Sequence, residues 1–239
     1  WTTKIILRAQ LRITWLHQNR IQYINQQCSD INWKLIFDQI NYNNKLLQRQ
    51  MNPKTTKLKT FKIKLITNEL PTHLTLYNRN PVEYPNSFCP QCSNSLENIS
   101  HILSCPANPT SLKEILSDAI NSICNKHQVT APNTDSFIDK YIKSHIRQQI
   151  PPGIIRDDTA GPFRTEKNNI NLAPELHHNI IQQIQEKIWK PGRQKPQTTT
   201  PLNPILIPQE LINHNHSPDT HFLKWLQLFV YYNNAALIT

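Results

Sequence analysis

Cys89-Pro90-Gln91-Cys92, separated by eight residues from His101-Ile102-Leu103-Ser104-Cys105, places three sulfurs and one imidazole within 17 residues. The rest of the chain has two further cysteines, Cys28 and Cys124. A closed tetrahedral zinc site needs such a set, because three thiolates and a neutral imidazole satisfy the cation and leave no open position for water. The spacing therefore predicts a structural Zn2+ site with Cys89, Cys92, His101 and Cys105 as ligands. In its first half, a tight Pro90-Gln91 turn lets the following backbone N–H groups donate to sulfur and stabilise thiolate charge. In its second half, His101 and Cys105 are four apart and leave one face of a helical turn, which Pro106 ends. Phe88, Ile99, Ile102 and Leu103 are expected to pack around the loop and exclude water. Metal binding drives the closure of such loops, supplying roughly 10–16 kcal/mol in zinc-finger peptides.

The chain of 239 residues carries a net charge of +10, which points to an acidic partner, RNA or DNA rather than a membrane. Only 3 glycines are present, which excludes a Gly-rich phosphate cradle. No apolar run reaches the roughly 18 residues of a membrane span, and no signal-peptide pattern is present. An odd number of cysteines with Cys-x2-Cys spacing suits metal in a reducing compartment better than a disulfide framework. The expectation is an intracellular protein of nucleus or cytoplasm, not secreted. Asn98-Ile99-Ser100 matches a glycosylation acceptor but falls inside the metal loop, where it reads as chance. The chain opens on Trp1 and its one methionine is Met51, so it reads as a piece of something longer.

Outward from the loop, residues 3–27 alternate Ile6, Ala9, Ile13, Leu16 and Ile24 with Lys4, Arg8, Arg12 and Arg20, the pattern of one basic amphipathic helix. Ser29 and Asp30 offer caps for a second helix with Trp33, Ile36, Phe37 and Ile40 on one face. From Gln39 to Asn68 there is no acidic residue, while Lys45, Arg49, Lys54, Lys57, Lys59, Lys62 and Lys64 accumulate. Along an exposed face these lysines would track phosphates; a solvated helix face is the plain alternative. Phe61-Lys62-Ile63-Lys64-Leu65 alternates like a strand, but Leu58, Phe61 and Leu65 fit a helix, which is the reading preferred here. Leu70-Pro71-Thr72 ends it, and a helical turn follows from about Leu74 to Arg79.

Beyond the loop, Asn108-Pro109 reads as a helix start, followed by the stripe Leu112, Ile115, Leu116, Ala119, Ile120 and Ile123, continued by Cys124. Phe137, Ile138, Tyr141, Ile142 and Ile146 predict a helix over 135–149, stopped by Pro151-Pro152-Gly153, with a loop after it. Leu176, Ile180, Ile184 and Ile188 predict a last helix over 172–190. His177 and His178 point in different directions and read as surface. Pro191, Pro196, Pro201, Pro204 and Pro208 make a stiff linker. His214, His216 and His221 precede an apolar tail that either docks as a helix or was joined by a shifted reading frame. The expected architecture is mostly α, with helices flanking a small CCHC zinc knuckle and a Pro-rich linker near the C-terminus. Its parts are a basic helical segment (1–80), the knuckle (81–108), a helical segment (109–190), the linker (191–218) and the tail (219–239).

Residues 61–79, with Leu65, Leu70-Pro71-Thr72, Leu76 and Arg79, then Cys89-Pro90-x-Cys92, Glu97 and His101-Ile102-Leu103-x-Cys105-Pro106, resemble the zinc-binding region downstream of the polymerase in non-LTR retroelement reverse transcriptases. The resemblance covers about 50 residues, and Ile188-Trp189-Lys190-Pro191 resembles that family's flank more loosely. It implies Cys89, Cys92, His101 and Cys105 as ligands, RNA or DNA as partner, and a polymerase domain of the same parent polypeptide. The chain departs from the pattern at Ser93-Asn94, where many members have glycine, and in leaving three residues rather than four before the last cysteine.

A polymerase centre needs an aromatic-x-Asp-Asp turn, and the one Asp pair, Asp157-Asp158, follows Arg156 in a Pro/Gly loop. A ribonuclease H site needs carboxylates converging from strands, whereas Asp118, Asp135 and Asp139 fall on helices or their caps. No catalytic residue is assigned. The expected function is nucleic-acid binding for a polymerase supplied elsewhere, through Lys45, Arg49, Lys54, Lys57, Lys59, Lys62, Lys64 and Arg79, with Phe61 and Tyr77 available to stack on unpaired bases. The alternatives are a zinc-stabilised protein-interaction module and, more weakly, a metal-dependent nuclease.

Overall fold

The apolar stripe over 112–124 forms helix α7 (Leu112–His127), and every residue of that stripe is buried. Its start is fixed by Ser111, not by Asn108-Pro109. Ser111 Oγ accepts the Glu114 N–H at 3.2 Å, and the Glu114 carboxylate accepts the Ser111 N–H at 2.9 Å, a reciprocal box that satisfies two otherwise orphaned donors. In this computed structural model of the chain, residues 2–28, 30–42, 53–130, 133–160, 163 and 171–194 are described. The remaining helices are α1 (Thr2–Leu16), α2 (Asn19–Gln27), α3 (Trp33–Asn41), α4 (Pro53–Ile66), α5 (His73–Arg79), α6 (Ile99–Ser104), α8 (Thr134–Ile142), α9 (Asp157–Ala160), α10 (Ala173–Gln183) and α11 (Lys190–Gln194). Extended pairing among the described residues is confined to two isolated antiparallel bridges, Ile31 with Arg156 and Phe88 with Leu96. The protein is mostly helical, as its periodicity predicts.

α10 is the centre of the packing, with α3 on one side and α7 on another. A helix enclosed in this way buries more than one stripe. Residues Ala173, Pro174, Glu175, Leu176, His177 and His178 are consecutive and all buried. The expectation that His177 and His178 lie on the surface is therefore corrected: in a helix with neighbours on several sides, both directions lead inward. The buried Glu175 carboxylate is matched by Lys126 and by His127 Nε2 at 2.9 Å, both from the end of α7. After Gln183 the helix widens into a π-turn, Ile184–Trp189, and runs through Pro191 to Gln194. Proline removes a helical donor and crowds the preceding turn, and the wider turn stands immediately before it. The helical segment thus continues past residue 190, where the linker was expected to begin. Residues 195–239, with most of that linker, the three histidines and the tail, lie outside the described residues.

The expected single N-terminal helix is two, broken at His17-Gln18. Trp15, Ile21 and Ile24 enter the core, whereas Ile6 and Ile13 stay 55% and 54% exposed. Trp15 meets the rings of Trp33 and Phe37 edge-on, each at 5.4 Å. α3 is capped by Asn32, whose Oδ1 accepts the Leu35 N–H at 3.0 Å, and not by Asp30, while Ser29 lies outside the described residues. Asp30 has a different partner, Arg156, whose Nε lies 2.8 Å away. Residues 53–66 are helical, with Phe61, Ile63, Leu65 and Ile66 buried. Gly153 sits at φ +100°, and a Cβ there would come within 3.0 Å of Ile181 Cδ1 and 3.1 Å of Ile66 Cγ1. Only glycine can make this turn and let α4 and α10 approach it.

Three core histidines are held neutral. Burial brings His145 down to about 4, His177 to about 3 and His178 to about 3, the last aided by the Lys62 charge. In the unfolded chain each binds its proton near its ordinary value of 6.5. The unfolded state therefore holds more protons between those limits, and stability is expected to fall as pH drops from 6.5 towards 4. The slope is up to about 1.4 kcal/mol per pH unit for each histidine, or about 4 for the three. Urea midpoints measured across this range should show that loss, and His177→Leu should remove about a third of the slope.

Candidate metal centre

The 89–105 loop is assembled from turns that its sequence favours. Phe88 pairs with Leu96, and the Cys89 N–H reaches Ser95 O at 2.8 Å, so both ends of the first half are held together. Ser93 donates its N–H to Cys89 O at 2.8 Å and adopts the left-handed conformation at φ 56°. α6 follows, capped by Asn98, whose Oδ1 accepts the His101 N–H at 2.7 Å. It places His101 in its middle and Cys105 just past its end. Ile99, Ile102 and Leu103 are buried, as expected, while Phe88 is 36% exposed and does not cover the site.

The four ligand atoms lie within 4.8 Å of one another. Cys89 Sγ and Cys105 Sγ are 3.8 Å apart, and Cys92 Sγ is 3.3 Å from His101 Nε2. A tetrahedral ion with Zn–S of about 2.3 Å and Zn–N of about 2.0–2.1 Å separates two sulfurs by about 3.8 Å and a sulfur from a nitrogen by about 3.6 Å. The donor set therefore fits one tetrahedral metal ion, with His101 ligating through Nε2. Cys89 and Cys105 are buried.

Burial pushes the Cys89 thiol up, against backbone N–H groups of Cys92 and Gln91 that favour the thiolate. Burial pushes Cys105 up to about 12, opposed by the Ala107 N–H. For Cys92 burial also raises the value, but donation from Asn94 and Ser95 and from the other thiols outweighs it, and the net direction is down. These are the N–H groups expected after the Pro90-Gln91 turn. They reduce the cost of charge on sulfur, and a divalent cation bound there would supply the remainder by replacing the thiol protons.

Glu97 supports the loop from behind. Its carboxylate is 4% exposed and accepts the His73 N–H at 2.8 Å and Arg193 Nη2 at 2.6 Å. Sequence reasoning marked Glu97 through the family resemblance but did not find Arg193, which stands 96 residues away. Among the described residues no second group of three or more Cys, His, Asp or Glu side chains is brought together. Asp118 pairs with Lys187 at 3.0 Å.

The residues expected to contact nucleic acid fare unequally. Lys45 and Arg49, and the side chain of Lys54, lie outside the described residues. Lys57 and Arg79 are exposed and Lys64 is half-buried. Lys59 turns inward: its Nζ donates to Asn41 Oδ1 at 2.9 Å, and burial brings it down to about 8. Lys62 is 1% exposed, which corrects its assignment to an exposed cationic face. Its Nζ lies 2.6 Å from Gln39 O and 2.7 Å from His178 Nδ1, and burial, helped by the Lys59 charge, brings it down to about 7. Phe61 is also enclosed, against Trp189 at 5.8 Å, and has no face to offer a base; Tyr77 is half-buried.

Comparison of the chain with models of known families, with curated proteins and with solved structures finds no match in any of the three.

Cys105→Ser is expected to weaken binding of Co2+ or Zn2+ by more than the roughly 10–100-fold typical of losing an outer-shell partner, read from the thiolate-to-Co2+ absorption. At Ser93 the left-handed backbone disfavours a side chain by about 1–2 kcal/mol. Ser93→Val should therefore lower the melting temperature of the metal-loaded protein, and Ser93→Gly should leave it unchanged or raise it.

Proposed function

We propose that this region is a zinc-stabilised module that binds RNA or DNA, of the kind that follows the polymerase in non-LTR retroelement reverse transcriptases. The metal in this reading is Zn2+, held by Cys89, Cys92, His101 and Cys105 in a CCHC knuckle, and it shapes the surface without taking part in a reaction. The observation that carries the reading is the convergence of those four ligand atoms within 4.8 Å, in a chain whose residues 39–68 include no acidic residue. With Lys62 buried and Lys59 bonded to Asn41, α4 offers the exposed Lys57 and the half-buried Lys64, seven residues and thus about two helical turns apart. Pro53, Thr56, Lys57 and Thr60 line a shallow groove on the same helix. Lysines and hydroxyls at such spacing suit a phosphate backbone and carry no sequence preference of their own. The polymerase would be supplied by another part of the parent polypeptide.

A protein-interaction module is the second reading. It is favoured by Val82, Phe88 and Leu96, which leave 92%, 36% and 46% of their surface exposed on and beside the loop.

Fluorescence anisotropy with labelled single-stranded RNA and DNA separates the two. The first reading expects affinity to fall steeply between 50 and 200 mM salt, because each neutralised phosphate of a single strand contributes roughly −0.7 to the log–log slope. Lys57→Glu with Lys64→Glu should reduce that slope by about 1 to 2, and Lys62→Met should leave it unchanged. Affinity indifferent to salt, or to the double charge reversal, would favour the second reading.

A further inference from the structure

We infer that the metal ion locks α11, the last described turn of the α10 helix, onto the 89–105 loop, so that losing the metal frees this turn while the α3–α7–α10 core stays folded. The inference rests on the reading of the four ligands as a metal site.

α11 is the last described turn of the helix that begins at Ala173, and it is the part least able to hold itself, because it follows the π-turn and includes Pro191 and Gly192, the two poorest helix formers. Its order comes from what it touches. Arg193 donates to Glu97 at 2.6 Å, and its guanidinium lies 4.2 Å from the centre of the Trp189 ring, which in turn packs on the buried Phe61 of α4. A Cβ added at Gly192 would lie 2.3 Å from Gln91 Nε2, so the helix backbone comes directly against the residue between the first two cysteines.

Both contacts are on the loop, and the loop's geometry is set by its ligands. Gln91 stands between Cys89 and Cys92. Glu97 stands between Cys92 and His101, and its backbone N–H bonds to Ser87 O at 2.9 Å while its carbonyl accepts the Leu74 N–H at 3.3 Å. Without a cation, three thiols and an imidazole have no reason to stay within 4.8 Å, and the frame that presents Glu97 and Gln91 loosens. The core helices contribute Ile36, Phe37, Leu116, Ile120, Leu176 and Ile180 to the core, and Ile99, Ile102 and Leu103 of α6 join the same cluster, so the part of the loop free to loosen is the stretch before α6 that carries Gln91 and Glu97. Arg193 is therefore a positioning residue that reports metal occupancy to α11 and, through Trp189, to the helix bearing Lys57 and Lys64.

Hydrogen exchange followed by mass spectrometry on the full chain tests this. Protection at the amides of 192–194 is compared with that at 115–123 in α7, before and after removal of Zn2+ by a chelator. Chelation is expected to speed exchange at 192–194 at least about tenfold, the signature of local opening, with α7 unaffected. Arg193→Gln, a partly exposed change that leaves every ligand in place, should give the same acceleration with Zn2+ bound. Glu97→Gln should speed exchange less, since one amide oxygen can still accept both the His73 N–H and Arg193 Nη2 and only the charge is lost. Unchanged exchange at 192–194 in the chelated protein or in both variants overturns the inference. So does an equal loss of protection in α7 on chelation. Absence of thiolate-to-Co2+ absorption in the wild-type chain would defeat the metal reading itself, and the inference with it.

Discussion

The convergence of three sulfurs and an imidazole within 4.8 Å organises the middle of this protein. The loop from Cys89 to Cys105 buries few large apolar groups beyond Ile99, Ile102 and Leu103, too few to hold a chain of this length in one conformation. What fixes it is a set of short-range constraints. The Ser93 turn, the Phe88–Leu96 bridge and the Asn98 cap each bring ligands closer, and the backbone N–H groups around Cys89 and Cys92 prepare them for charge. Glu97 then carries that order outward to α5 through the His73 N–H and to α11 through Arg193.

The remainder depends on ordinary apolar packing around α10. Its enclosure has a chemical cost: a carboxylate, two imidazoles and a lysine end up in the interior. Each is handled differently. Glu175 keeps its charge because Lys126 and His127 face it. His178 stays neutral and accepts from Lys62, which also donates to Gln39 O. Both ring nitrogens of His177 lack a partner among the described residues. The core is stable despite these groups, since the neighbouring isoleucines, leucines and aromatics are almost wholly withdrawn from water.

Much of this was legible from residue order, because periodicity and ligand spacing are local properties. The stripe of α7, the helix over 53–66, the turn after Thr72 and the four ligands all follow from neighbours within a few positions. The rest depends on partners far along the chain. Nothing near Lys62 in sequence says that Gln39 O and His178 will be waiting for it, so a lysine in a basic run reads as surface. The outward reading of His177-His178 failed for the same reason, since one helix does not reveal how many others will surround it. The break at His17-Gln18 and the displacement of the cap from Asn108 to Ser111 are smaller errors. Each accompanies a tertiary placement that local order does not reveal, the packing of Trp15 on Trp33 and the burial of Leu112.

The central position of α10 also has a consequence during synthesis. The apolar faces of α3 and α7 leave the ribosome long before the helix that covers both. At roughly 5–20 residues per second, the stretch between His127 and Ala173 alone takes about two to nine seconds to make. For that interval the nascent chain displays two greasy, unpaired surfaces in a strongly cationic polypeptide. Until α10 emerges, those faces are open to contacts that the finished fold excludes.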